Sequence, residues 1–276
     1  MFHIGATSYI IPDDILPNVE FLAPQVDDIE LMLFETDEYG SNLPDAALCA
    51  RLNELAAHQS LTYTVHLPLD LRLGDGDEET HISLVKARRV IEATRALRPF
   101  AYTLHLDGRA LIAEELPGAS QAPGNWRALT HWQDNARRAL EVVCGWLDEP
   151  ERLCIENVER WNPEAFAPVV EALLVSRTID IGHLWLQGAD PLEHLARWVE
   201  RTRVIHLHGI AERDHASLAH IPAEQLDPVI AFLVARFSGV VTLEVFNEAD
   251  LASSQAALVA SVRRVEDGES LMRGES

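Results

Sequence analysis

The chain is poor in cysteine, in basic residues and in long apolar runs. Its cysteines, Cys49, Cys144 and Cys154, are three among 276 residues and show no Cys-x-x-Cys spacing. A disulfide framework or a thiolate zinc site is therefore not expected, and a reducing cytoplasm is the natural compartment. Lys and Arg total 22 against 44 Asp and Glu, a formal charge of -22. Affinity for nucleic acid comes mostly from Lys and Arg neutralising phosphates, so such a surface disfavours a nucleic-acid partner. It equally disfavours docking on anionic lipid. No stretch reaches the roughly 18 apolar residues of a membrane span. The start, MFHIGATSYIIPDD, has no basic n-region followed by an apolar core, so no signal peptide is expected. What remains is a chain 47% hydrophobic and 24% charged, globular in composition and long enough to bury a core without staples.

Short apolar runs alternate with longer amphipathic ones. Strands are expected at Phe2–Tyr9, Asp28–Phe34, Leu61–Leu67, Tyr102–Leu106, Arg152–Asn157, Thr178–Ile181, Val204–Leu207 and Val240–Val245. Helical periodicity follows nearly every one, at Asp45–His58, Ile82–Leu97, Trp126–Trp146, Pro163–Leu174, Pro191–Arg201, Ala223–Phe237 and Glu248–Val265. Eight β-then-α units of about 35 residues are the size of the repeat in a (β/α)8 TIM barrel. The competitor, an open doubly wound sheet, lacks its fingerprint: Gly5-Ala6-Thr7-Ser8-Tyr9 has no G-x-G-x-x-G spacing. One barrel domain over residues 1–265 is expected, with a frayed tail from Glu266 to Ser276. The acidic segment Gly74–Glu79 and the stretch Pro117–Asn125 read as loops beyond strand ends, on the side where barrels build their sites.

The residues that close the strands carry the chemical signal. Strand three ends at His66, strand four at His105, strand five at Glu156 and Asn157. Strand six supplies Asp180 and His183, strand seven His206 and His208 followed by Asp214 and His215, and strand eight Glu244. A lone histidine at a strand end is commonly a satisfied core group. Six consecutive strands ending so would crowd one barrel mouth with imidazoles and carboxylates that are costly to bury unpaired. A cation relieves that cost, and this donor set suits Zn or Mn. Glu156, Asp180, His206 and Glu244 could hold one ion. His66 and His105 add a pair sharing Glu156, and His183, Asp214 and His215 a third set. Nine ligands exceed one coordination sphere, so two or three divalent ions, Mn2+ or Zn2+, are expected. Clustered ions are the device of phosphoester hydrolysis.

Other residues carry weaker signals. Of His206 and His208, one is expected to face inward; we take His206 and keep His208 as a spare. His220 is an alternative for the third set, and His3 could point into the barrel floor. His58, His81, His131 and His194 fall in helical segments and read as surface or packing residues. Arg72, Arg109, Arg160 and Arg213, just past strand ends, could receive a phosphate or be solvated loop charges. Trp161 and Trp185 are either packing residues or platforms for a flat ring. Glu35 and Asp37 are either supporting carboxylates or solvent charge. No Ser or Cys stands beside a strand-end His as a nucleophile.

The order HLP, HLD, IEN, D-x-x-H, HLHG, D-H and a closing strand Glu resembles the xylose-isomerase-like barrels, in particular the branch of metal-dependent apurinic endonucleases. That resemblance implies His66 and His105 on one ion, Glu156 as a bridge, Asp180, His206 and Glu244 on a second, and His183, Asp214 and His215 on a third, with Glu156 and Glu244 central to catalysis. One departure is plain: the endonuclease pattern separates its last Asp and His by one residue, whereas Asp214 and His215 are adjacent. The segments MFHIGATSYIIPDD, THISL and HLHG…RDHASL are more specifically similar to the cobamide-remodelling phosphodiesterases of this superfamily. Those cleave the nucleotide loop of a B12-type corrinoid between phosphate and ribose, giving cobinamide phosphate and an α-ribosyl nucleoside. The competing expectation is a single-ion sugar isomerase or epimerase using only Glu156, Asp180, His206 and Glu244. A catalytically dead corrinoid-binding barrel would need a broken ligand set.

Overall fold

The structure is a computed structural model that describes residues 2–36, 40–108, 111, 126–159, 161–162 and 164–274. Eight parallel strands close into a barrel: β1 (His3–Thr7), β2 (Asp28–Met32), β5 (Thr62–His66), β6 (Ala101–His105), β7 (Leu153–Glu156), β8 (Ser176–Asp180), β9 (Thr202–Leu207) and β10 (Val240–Leu243). Each expected strand is present, shifted at its ends by a residue or two. A two-stranded ribbon, β3 (Glu35–Thr36) with β4 (Gly40–Ser41), was not foreseen, its strands being too short to carry a period.

By packing, the chain groups into two compact units: residues 1–31, 55–62 and 179–276, and residues 32–54 and 63–178. In the first, Gly5 pairs with Asp28 and Thr242, Thr7 with Glu30, and Thr242 with His206. Its core includes Ile29, Leu31, Ile205, Leu207, Val241 and Leu243, all fully buried. In the second, His66 pairs with Thr103, His105 with Glu156, and Glu156 with Thr178. Val65, Leu104 and Ile155 are buried outward-facing neighbours of those polar positions.

Period two explains the polar interior. Residues two apart on a strand share a face. Thr64 therefore shares its face with His66, Thr103 with His105, Thr178 with Asp180 and Thr242 with Glu244. All four threonines are buried, and Thr103 and Thr178 share a hydrogen bond of 3.0 Å between hydroxyls. The outward neighbours Val65, Leu104, Ile179, Ile205 and Leu243 are fully buried.

The helices are α1 (Ile15–Leu22), α2 (Ala46–Gln59), α3 (Asp77–Thr94), α4 (Trp126–Cys144), α5 (Ala167–Glu171), α6 (Ile181–Leu186), α7 (Pro191–Trp198), α8 (Ala223–Arg236) and α9 (Glu248–Gly274). Three expectations change. Asp77, Glu78 and Glu79 are not loop but the first turn of α3, where carboxylates meet the positive end of the helix dipole. Helix α9 runs on through residues 266–274, past the expected end of the last helix at Val265. Helices α1 and α6 were missed because eight and six residues are too short to show an amphipathic period. The stretch Pro117–Asn125 lies outside the described residues.

Candidate metal centre

Within the second unit, β5, β6 and β7 bring His66, His105 and Glu156 together. Glu156 is fully buried, and its Oε2 lies 3.3 Å from Nε2 of His66 and 3.0 Å from Nε2 of His105. The two rings meet edge-on, centroids 4.9 Å apart. The Nδ1 of His66 stands 2.7 Å from the Leu67 carbonyl, which can only accept, so Nδ1 carries the proton. A neutral ring then turns its Nε2 lone pair toward the carboxylate, an arrangement that calls for a proton or a cation between them. Donation of the far ring nitrogen to a backbone carbonyl is the usual support of a metal-ligating histidine. The residues fit a divalent ion.

In the first unit, β9 and β10 place Nδ1 of His206 3.1 Å from Oε2 of Glu244, with Oδ2 of Asp180 4.0 Å away. Those three residues each offer a ligand atom within 4.8 Å of the others. Glu30 on β2 was not among the expected residues, yet its Oε2 is 2.9 Å from Nε2 of His206, and both side chains are fully buried. The signal was present: an acidic residue between Ile29 and Leu31 in an apolar strand resembles the other strand-end carboxylates.

A second group in that unit gathers His183, His208, Asp214 and His215. Asp180 caps α6, accepting from the His183 amide at 2.7 Å, which fixes the imidazole one turn into the helix. The Nε2 of His183 lies 3.5 Å from Oδ2 of Asp214, and Nε2 of His208 lies 3.2 Å from Oδ1 of Asp180. The ring centroids of His208 and His215 are 4.2 Å apart. Like His66, His208 sets Nδ1 against the carbonyl of its successor, Gly209, at 3.1 Å. Treating His208 as a spare was an error of alternation: being two residues from His206 puts it on the same face, and both are fully buried.

Mutual proximity sets the electrostatics of this group. Burial opposes a charged His208, but the Asp180 carboxylate outweighs it and raises the imidazole to about 8. Burial likewise works against an ionised Asp214, but a hydrogen bond from His183 and the neighbouring rings hold its carboxyl down at about 2. His215 is lowered, first by burial and then by His208.

The remaining candidates divide. His220 and His3 are exposed, so neither is a third-set alternative nor a floor residue. Trp161 is buried and packs edge-on against Trp132, centroids 5.6 Å apart, which makes it a packing residue. Trp185 is half-buried on α6. Arg72 is exposed, 3.8 Å from Asp75. Arg213 is engaged by Asp250 and by the carbonyls of Asp214 and His215. Glu35 is clamped by Arg89 at 2.6 Å; the Ser41 hydroxyl, then Arg89, hold its carboxyl below the usual range. Asp37, Arg109 and Arg160 lie outside the described residues. Among the described residues no helix is long and apolar enough to cross a membrane.

No curated protein matches the chain. Among solved structures, a D-tagatose 3-epimerase-like protein superposes with TM-score 0.73 at 18% identity, covering 97% of this chain and 99% of that one. The 3-keto-D-glucoside 4-epimerase of E. coli gives 0.66 at 14%, covering 97% and 100%. Endonuclease IV from Thermus thermophilus gives 0.65 at 17%, covering 96% and 99%. The fold is thus shared by sugar epimerases and an endonuclease. Residues 26–265 match the family described as the xylose isomerase-like TIM barrel, and the chain belongs to that family.

Proposed function

We propose that this chain is a divalent-metal phosphodiester hydrolase acting on the nucleotide loop of a cobamide. The observation that carries the hydrolase reading is the His66–His105–Glu156 set, which exists alongside the Asp180–His206–Glu244 set. Proton transfer beside a carbonyl needs one ion; a second imidazole-rich set is superfluous for it. Divalent ions bound there would lower the pKa of water and neutralise charge on phosphoryl oxygens. The chain's own part is to hold the phosphodiester in line. Glu156 and Glu244 supply the anionic donors, and the exposed Arg72 is a proposed contact to the phosphate. Trp185, half-buried on α6, is proposed to contact a flat ring. The cobamide substrate is supported by the short motifs named above and by a charge of -22, which disfavours nucleic acid. A cytoplasmic site of action, away from membrane and nucleic acid, accords with that charge and the cysteine content.

Incubation with a complete cobamide and Mn2+ or Zn2+ in water enriched in oxygen-18 tests this. Cobinamide phosphate with the label on phosphorus is expected. Label found only on the released nucleoside would mean carbon–oxygen cleavage and refute the phosphoryl route. The second reading, a sugar epimerase, draws on the Asp180–His206–Glu244 set and the epimerase-like fold. No cleavage, together with interconversion of a ketose and its epimer, would establish it instead.

A further inference from the structure

Asp214 and His215 are adjacent, and adjacent residues in extended chain point to opposite sides. Here both reach the same pair of imidazoles. His215 has a φ of 50°, the left-handed region that a non-glycine residue enters only when its surroundings hold it there. Three contacts do the holding. The His215 amide donates to Oδ1 of Asp214 at 2.9 Å. The segment's ends are tied together, Gly209 and Ala216 exchanging backbone hydrogen bonds of 2.8 and 3.0 Å. Finally, Nη1 of Arg213 donates to the His215 carbonyl at 3.0 Å and lies 3.4 Å from that of Asp214.

Arg213 is itself anchored. Its Nη2 pairs with Oδ2 of Asp250 in the first turn of α9, and the Asn247 side chain holds the same oxygen at 2.7 Å. Ser217 and the Leu218 amide, just beyond, bond to Ser253 and Ser254 of α9 at 2.6 and 2.9 Å. The helix is a platform on which the segment from Gly209 to Leu218 is fixed.

We propose that Arg213, anchored by Asp250, is a positioning residue that holds the left-handed turn and thereby lets adjacent Asp214 and His215 complete one metal group with His183 and His208. Its guanidinium engages two carbonyls and a carboxylate at once. The inference rests on the metal reading of this group but not on the identity of the substrate.

The test is equilibrium binding of Co2+ and Zn2+ to full-length protein, by chelator competition and by the visible Co2+ spectrum. Arg213→Gln and Asp250→Asn are each expected to weaken one class of ion about 10- to 100-fold, the range for supports of ligating groups. The double variant should be little worse than either single one, because both break one clamp. The Co2+ band of that class should change, while the thermal midpoint of the metal-free protein and the remaining ions stay as in the wild type. Unchanged affinity in Arg213→Gln would overturn the proposal, as would a loss that merely follows destabilised metal-free protein. Intact ion content with a raised KM for a phosphodiester would also overturn it, making Arg213 a substrate contact. Failure of cobamide cleavage would leave these binding results, and the inference, standing.

Discussion

Gly182→Ala should remove one ion from the centre with little change elsewhere. Gly182 lies in α6, between the capping Asp180 and His183, with its α-carbon facing the His208 ring. A β-carbon there would sit 2.1, 2.3 and 2.4 Å from Cε1, Nε2 and Nδ1 of His208, where ordinary contact begins near 3.4 Å. The ring must give by about 1 Å. It has little room, with His183 and His215 centroids at 5.4 and 4.2 Å. Metal–ligand distances tolerate only about 0.2 Å, so a displaced His208 no longer ligates. Overpacking of this kind costs about 1–3 kcal/mol, offset by up to about 1 kcal/mol because alanine favours the helix over glycine. With the full helix offset, urea denaturation of the metal-free variant should show a net loss of no more than about 2 kcal/mol. Elemental analysis of the loaded variant should find fewer ions than in the wild type. In a His208→Ala background the same substitution should cost nothing, because its clash partner is gone. Wild-type stability with a full ion complement in Gly182→Ala would refute the reasoning.

Three further outcomes are expected. Glu156→Gln keeps the shape of the carboxylate but not its charge; turnover should fall at least about 100-fold with the thermal midpoint nearly unchanged, since strand-end residues at a barrel mouth serve function more than stability. Near-normal turnover would remove Glu156 from the site. His208 is raised in the folded protein, so its stabilising contribution is complete below about pH 6.5, its unfolded value, and is lost as pH rises through about 8. The urea midpoint of metal-free protein should fall across that window, and a His208→Gln variant should not show the fall; ion affinity should rise over the same range as the competing proton leaves. Finally, duplex DNA bearing an abasic site should be neither bound tightly nor nicked at physiological salt, and efficient nicking would show that the charge of -22 had misled us.

Much of the barrel was legible because its strands carry an unusual two-sided pattern. On β5, β6, β8 and β10 a buried outward residue (Val65, Leu104, Ile179 or Leu243) separates an inward Thr from a His, Asp or Glu, so these strands declare both their period and their carboxyl end. Elements without a period were not legible: the four residues of the β3–β4 ribbon, the single turns of α6, and the point at which Asp77 begins α3. The strand-end candidates were legible because His, Asp or Glu closes one strand after another, as at His66, His105, Glu156 and Asp180. His208 was lost to a mistaken alternation, and Glu30 because an acidic residue early in the chain had no motif beside it. The left-handed turn at His215 has no sequence signal of its own; only the missing residue between Asp and His hinted that the backbone must do something unusual there. The roles of Arg213 and Trp161 depended on partners distant in sequence, Asp250 and Trp132, that no spacing rule predicts.

We propose that the strand-end residues of this chain hold more than one metal ion. Elemental analysis of protein purified without added metal or chelator, followed by titration of the chelated protein with Mn2+ or Zn2+, tests it most directly. At least two divalent ions per chain are predicted, with hydrolytic activity lost on chelation and restored on reloading. A single tightly bound ion at full activity would rule out a multi-ion centre and turn the chemistry toward the epimerase reading.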